Sequence, residues 1–401
     1  MRRTTWKEIA ASSGPQGVLS VPEVYHPVSH IVFWLNELSV HLCAWVRALA
    51  AVEGIRATVV AEREILPERQ ALGHSVPDLG RSAMTVCRDL ASVSGLVRDM
   101  ERGALHIVGG MRGSPLAQRA LCELARRRAR IGIISEAADG ASWRGFLRRC
   151  IYRWEWARFA AAVDFVLAMG SYGVDWFAQC GCPLQKLFPF GYATERYTHS
   201  ATTPAETAPT CLVYVGAFVP CKRLDIFIKA LADLQELDWA LTMIGSGPLE
   251  ERLRQMVGER GLSERVRFMG PLKNQAVIAE IGRCDLFVLS SRHDGWGAVV
   301  NEALMEGVPV ICSDRCGARD LLQEPWRGEV FRADSIASLR EVLRRWIPKR
   351  RTAAVANQIR LWSRSIEGES LAAYFLSIMD CVYANGRRPM PPWVGPGRNA
   401  P

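Results

Sequence analysis

The feature that most limits the fold of this chain is an alternation, run twice, of short apolar segments with stretches of helical period. In the first half the apolar runs are His30 to Trp34 (HIVFW), Ala57 to Val60, Leu105 to Val108, Ile131 to Ser135, Asp164 to Met169 and Lys186 to Phe190. Runs this short, linked by helical segments, suit strands buried on both faces in a mostly parallel sheet. After Ala193 to Thr210 (ATERYTHSATTPAETAPT), which has no apolar period, the pattern restarts. Leu212 to Val215 reads as a strand, Leu224 to Leu234 as a helix, Ala240 to Ile244 as a strand, and GSGP at Gly245 to Pro248 as a turn opening a helix at Leu249. Val266 to Met269 follows as a strand and Gln275 to Ile281 as a helix. Then come Cys284 to Leu289, Ala298 to Met305 and Val308 to Cys312 as strand, helix and strand. At 401 residues the chain exceeds one ordinary core. The expectation is two doubly wound α/β domains facing each other across a cleft. They span 1–194 and 211–384, with a linker at 195–210 and a disordered Pro/Gly-rich tail at 385–401.

An apolar fraction of 49% is that of a globular protein. No apolar run approaches the ~20 residues that span a bilayer, and the interrupted first 30 residues argue against a secretory signal. Twelve cysteines lack a repeated spacing, and Cys180 and Cys182 have no partner pair for zinc. A cytoplasmic protein is expected, soluble or peripheral on the inner face of the plasma membrane.

Net charge is +9, and between Glu101 and Cys150 ten arginines face four acids. Such a block suits nucleic acid, an anionic bilayer or a phosphorylated substrate. No nucleic-acid partner is expected, because no recognition motif accompanies it and its aromatics lie on an amphipathic helix. Within 142–159, Trp143, Phe146, Leu147, Cys150, Ile151 and Trp154 recur at helical spacing among Arg144, Arg148, Arg149 and Arg153. That stripe either packs on the domain's own core or lies on an anionic membrane; a membrane would imply a lipid-linked acceptor.

In open parallel sheets ligands bind beyond the carboxyl ends of strands. Two such ends are Gly216 to Arg223 and Ser290 to Gly297, both leading into helices whose free amides favour phosphate. Gly295 and Gly297 allow close backbone approach and Lys222 adds a full charge, so a diphosphate is the expected ligand. Glu302 lies among Val299, Val300, Ala303 and Leu304, where a carboxylate demands a partner. Ribose hydroxyls or an internal hydrogen bond would serve. In the first half, Asn36, Ser39 and His41 follow the first strand and could reach a sugar, and Arg112 and Glu136 sit at other strand ends. Glu136 could equally cap a helix or pair with a cation, and His41 could be structural.

The segments YVGAFVPCKRLD, TMIGSGPLEERL, RVRFMGPLKN and DLFVLSSRHDGWGAVVNEALMEGVPVICSD, in this order, resemble the C-terminal domain of retaining glycosyltransferases of family 4. The resemblance covers about Cys211 to Leu322, and AVDFVLAMGSYGVDWFAQCGCPLQKLFPFGY is more faintly similar to the end of that family's N-terminal domain. It implies the GT-B fold, two Rossmann-like doubly wound parallel-sheet domains, binding an acceptor in the first and a nucleotide sugar in the second. It implies a catalytic set of Asp294, Lys222 and Glu136. It further implies that Asp294 meets sugar hydroxyls, Glu302 holds the ribose, and Lys222 meets the diphosphate. Gly216, the amides of Gly295, Trp296, Gly297 and Ala298, and the base-side residues Gly270, Pro271 and Leu272 complete the donor site. Asn36, Ser39, His41 and Arg112 fall to a glycan or lipid-linked acceptor. No D-x-D pair is present, so a metal-independent reaction without cofactor is implied. Two departures stand out: aspartate occupies position 294 where most members of the family have glutamate, and Ala217 replaces an arginine after the first-strand glycine. Either fewer cations hold the diphosphate or a residue such as Arg292 substitutes, and a catalytically degenerate nucleotide-sugar-binding protein is the alternative.

Overall fold

The computed structural model describes residues 27–65, 76–196 and 209–395 and divides them into two compact units. The first gathers 27–65, 76–195 and 365–395; the second gathers 196 and 209–364.

The first unit is built on strands β1 (His30–Glu37), β2 (Arg56–Arg63), β3 (Ala83–Val86), β4 (Leu105–Gly109), β5 (Arg130–Ser135), β6 (Phe165–Met169) and β7 (Leu187–Phe190). Their order is β3-β2-β1-β4-β5-β6-β7 and every pairing is parallel. Helices α1 (Val40–Ala50), α2 (Val93–Asp99), α3 (Pro115–Arg126), α4 (Ser142–Phe159) and α5 (Gly170–Gln179) connect them. Helix starts follow local chemistry: Ser39 caps α1, and Ser114 caps α3 ahead of a proline in its first turn. The first strand runs three residues beyond HIVFW, so Asn36 is an exposed strand residue, while Ser39 immediately precedes α1 and His41 lies in its first turn. β3 escapes the sequence pattern because it is a short edge strand with no fully buried residue.

The second unit carries β8 (Thr210–Val215), β9 (Trp239–Ile244), β10 (Val266–Gly270), β11 (Leu286–Leu289), β12 (Val310–Ser313) and β13 (Gly328–Phe331), again all parallel, in the order β10-β9-β8-β11-β12-β13. Helices α6 (Leu224–Ala232), α7 (Glu250–Glu259), α8 (Asn274–Gly282), α9 (Val299–Met305), α10 (Ile336–Trp346) and α11 (Ala353–Trp362) wrap it. In both sheets the order reverses at the first strand, between β1 and β4 and between β8 and β11. That reversal is the position at which doubly wound folds open a ligand crevice.

Two expectations are corrected. Helix α12 (Gly368–Tyr383) joins the first unit rather than closing the second domain at 384. The reason is packing: Trp45 of α1 meets Phe375 at 5.3 Å and Phe190 at 5.1 Å, and a side chain at Gly368 would lie 2.5 Å from the Ala44 carbonyl. The described part of the tail is not disordered either. Trp393 is buried edge-on against Tyr374, and Arg388 donates to the carbonyls of Leu184 and Gln185 while its guanidinium lies over Phe188. A Pro/Gly-rich run has no periodic core face, yet one tryptophan and one arginine stem suffice to anchor extended backbone. Residues 396–401 and most of the expected linker, 197–208, lie outside the described residues.

For α4 the structure bears on the two placements that the sequence leaves open. The helix buries Glu155, Trp156 and Phe159, while Trp143, Phe146, Leu147, Ile151 and Trp154 are exposed, so the expected stripe does not pack on the unit's core. No described helix is long and apolar enough to cross a membrane.

Candidate functional site

At the switch point of the second sheet, two loops from the ends of β8 and β11 are tied together. The chain leaves β8 through Gly216, makes a 3-10 turn at Pro220–Lys222, and enters α6 through Arg223, whose φ of 51° is left-handed. A non-glycine residue there costs on the order of 1 kcal/mol; two hydrogen bonds to Asp225 (2.9 and 3.2 Å) and one to Asp334 hold it. The β11 loop crosses this turn, the Ser290 hydroxyl donating to the Lys222 carbonyl at 2.8 Å and the Arg292 amide to the Cys221 carbonyl at 2.8 Å. The result is an ion pair: Lys222 Nζ donates to Asp294 Oδ2 at 2.5 Å, with the Ser291 hydroxyl at 3.4 Å from the same oxygen. Burial alone would lower the Lys222 pKa, but the charge of Asp294 and its hydrogen bond outweigh it and raise the ammonium above its ordinary value. Lys222 therefore stays cationic at neutral pH.

The backbone of Asp294 is fixed by the strand end beyond β12. Its amide donates to the Arg315 carbonyl at 3.0 Å and its carbonyl accepts from Gly317 at 3.1 Å. Gly297 has φ 92°, and a side chain there would also lie 2.9 Å from Cys316 Sγ. Its freedom is thus needed by the loop's own packing as well as by any ligand. Trp296 does not present its ring to a donor: the indole is buried and donates to Asn301 Oδ1 at 2.8 Å, leaving only backbone for recognition. Ala298 precedes α9, which spans only Val299–Met305, so the full charge of Lys222 outweighs that short helix's dipole.

Gly216, Gly245 and Gly270 end the adjacent strands β8, β9 and β10. Gly216 and Gly270 receive and give backbone hydrogen bonds along this edge: Gly216 donates to Ile244 at 3.0 Å, and Gly270 accepts from Gly245 at 2.9 Å. A side chain on Gly245 would lie 2.0 Å from the Gly216 carbonyl, so GSGP serves this contact. Pro271 is exposed and Leu272 partly buried just beyond.

Glu302, in the first turn of α9, is partly accessible by surface area yet so enclosed that burial pushes its carboxyl up to about 7. No hydrogen-bond partner for its carboxylate is found among the described residues, so the internal-hydrogen-bond alternative finds no support there.

In the first unit, the structure brings two expected residues together through a third that the sequence did not single out. Tyr192 donates to Glu136 Oε1 at 2.7 Å and stacks on the His41 ring at 5.8 Å. Ser39 Oγ accepts from the His41 amide at 3.3 Å, which places it as a cap. Arg112 pairs with buried Glu155 of α4 at 2.9 Å, and Asn36 stands apart on β1. Ser290 and Ser291, fully buried, were equally missed; two hydroxyls ending an apolar strand were the available signal.

Solved structures of the GT-B glycosyltransferase class share this fold. Lipopolysaccharide outer core galactosyltransferase WaaB in its apo form is similar at TM-score 0.65 and 17% identity, over 89% of this chain and 99% of that one. Anabaena HepE in complex with UDP and glucose is similar at TM-score 0.64 and 15% identity, over 87% and 99%. At the family level, residues 196–359 match the family described as glycosyl transferases group 1. Alpha-D-kanosaminyltransferase of Streptomyces kanamyceticus is 26% identical over 175 residues, 42% of this chain and 45% of that protein. The GDP-mannose-dependent alpha-(1-6)-phosphatidylinositol monomannoside mannosyltransferase of Mycobacterium tuberculosis is 29% identical over 198 residues, 45% and 51%. The chain spans about half the length of the curated relatives it matches.

Proposed function

We propose that the chain is a retaining, metal-independent glycosyltransferase that moves a sugar from a nucleoside-diphosphate donor to a glycan or lipid-linked acceptor. The observation that carries this reading is the Lys222–Asp294 pair, assembled from two loops at the switch point of the second sheet. Lys222 meets the diphosphate and stabilises the charge that builds on it as the sugar departs; Asp294 accepts from the sugar hydroxyls and orients the anomeric carbon. Glu302 accepts from the ribose diol, supplying the partner its enclosed carboxylate lacks, and Gly270 to Leu272 border the base. Glu136, aligned by Tyr192 and His41, serves the acceptor side. Among the described residues no group of three or more His, Cys, Asp or Glu is placed to hold a metal ion; this reading gives charge compensation to Lys222. The relatives named above, by name a kanosaminyltransferase and a GDP-mannose-dependent mannosyltransferase, support the same class.

A second reading, donor binding without transfer, is favoured by one observation: Asp294 already engages the cation assigned to the diphosphate. Calorimetry with a panel of UDP- and GDP-sugars, beside a transfer and hydrolysis assay, separates the two. The donor binds, turnover is seen, and Glu302→Ala weakens binding by roughly 1–3 kcal/mol, the scale of lost charged hydrogen bonds. Unchanged affinity in that variant would remove the ribose assignment; binding without turnover would establish the second reading.

A further inference from the structure

We infer that α4 is a membrane-docking helix, its outward apolar face entering the interface of an anionic bilayer while Arg144 and Arg153 meet lipid phosphates. The observation is exposure in the wrong place. Trp143 is 67% exposed, Phe146 59%, Leu147 47%, Ile151 44% and Trp154 61%, a concentration of large exposed apolar side chains on one helix. At 3.6 residues per turn these five occupy an arc of about 140°. Tyr152, Glu155, Trp156 and Phe159 occupy the opposite arc, and the latter three are buried. The helix is therefore apolar on two faces, one spent on the unit's core and one unpartnered.

The seams between the faces decide the occupant. Arg144 lines one side of the outward face and Arg153 the other, both exposed, while Arg148, exposed as well, lies round on the arc of Glu155 and Phe159. Arg148 also donates to the Asp139 carbonyl at 2.8 Å, and the one acid within the helix, Glu155, is buried in its pair with Arg112. The outward surface is thus apolar and cationic, with Trp, Phe and Leu flanked by arginine, the composition of a helix that lies in a bilayer's headgroup region. A second copy of the chain offering the same face would set arginine against arginine across a twofold axis. An anionic lipid surface neutralises both seams at once.

Docking has a consequence for the first unit. Helix α4 follows directly on the loop that carries Glu136, so a helix seated in the bilayer keeps the carboxyl edge of this sheet at the membrane. This last step, and the lipid-linked acceptor it favours, rests on the proposed transferase reading; the docking does not.

The test is flotation of the full chain with vesicles of equimolar phosphatidylglycerol and phosphatidylcholine, against vesicles of phosphatidylcholine alone. The chain floats with the anionic vesicles at about 0.1 M salt and is largely released at about 1 M, where the Debye length has shrunk to about 3 Å. The double variant Trp143→Ser/Trp154→Ser and the charge variant Arg144→Glu/Arg153→Glu each lower the bound fraction roughly tenfold or more. Both alter exposed side chains, so their thermal midpoints match that of the unaltered chain. Three results would overturn the inference: no flotation of the unaltered chain, flotation undiminished in both variants, or self-association in sedimentation that the tryptophan variant abolishes without any vesicle binding. UDP and GDP affinities in solution are read on the same variants; their absence would strike the donor reading and leave the docking result standing.

Discussion

At the switch point of the first sheet a neutral hydrogen bond is sunk between the strands: Trp34 of β1 donates to His106 of β4 at 3.1 Å, both fully enclosed. Burial, with the neighbouring His30 second, lowers the His106 pKa to about 4. At the switch point of the second sheet the polar groups are ionic and lie beyond the strand ends, where Lys222 meets Asp294 and Glu302 follows on α9. The same topology has thus been given two electrostatic characters. One sheet is closed at its centre by an uncharged hydrogen bond, a device of stability; the other gathers charge at its carboxyl edge, where a ligand can reach it.

Removing the cation of the second unit is the most severe way to probe that contrast. Lys222→Ala strips the charge proposed to meet the diphosphate and leaves Asp294 unpaired, and turnover is expected to fall by about 10²–10³, or about 3–4 kcal/mol, the scale of a lost transition-state donor. An equal loss from Arg112→Ala in the first unit would erase the distinction. Next in size is pH. His106, held neutral, supports the first unit above pH 6.5, and that support is lost as pH falls toward about 4. Glu302 has the opposite sign: its raised pKa means the folded second unit binds the extra proton, so stability is greatest below pH 4.5 and declines as pH rises through about 7. Each effect is at most on the order of 3 kcal/mol. Calorimetry across pH should show the two units responding in opposite senses, His106→Gln flattening the acid limb and Glu302→Gln raising stability at pH 8. Transitions that move together would break the comparison. The smallest effect is a gain: Ala217 is exposed beside Gly216, and Ala217→Arg adds a second cation, tightening nucleoside diphosphate binding by roughly 1 kcal/mol as measured by titration.

The interior of each sheet was legible from sequence because it is uniformly apolar; β11 and β6 are buried at every position. Two of the edge strands were not, since β3 has no fully buried residue and β13 (Gly328–Phe331) mixes buried and open ones, so neither carries a clear period. Lys222 and Asp294 could each be singled out by their strand ends. Their direct pairing is a tertiary fact joining residues 72 apart, and Ser290, which ties the two loops, looks like any strand-end serine. The α4 stripe shows a different limit: periodicity reveals an apolar face but not whether protein covers it. Trp393 shows another, for a single anchor inside a Pro/Gly-rich run leaves no pattern to read.

The placement of α12 also sets a schedule. The aromatic cluster around Trp45 is completed by Phe375 and Tyr374, which leave the ribosome only after the whole second unit. At ~5–20 residues per second, the stretch between Glu195 and Ser365 takes roughly 10–30 s to translate. During that interval the nascent first unit exposes the apolar faces of α1 and β7 to solvent and to chaperones, while the second unit, contiguous in sequence, can close as it emerges. The region synthesised first is therefore the one finished last.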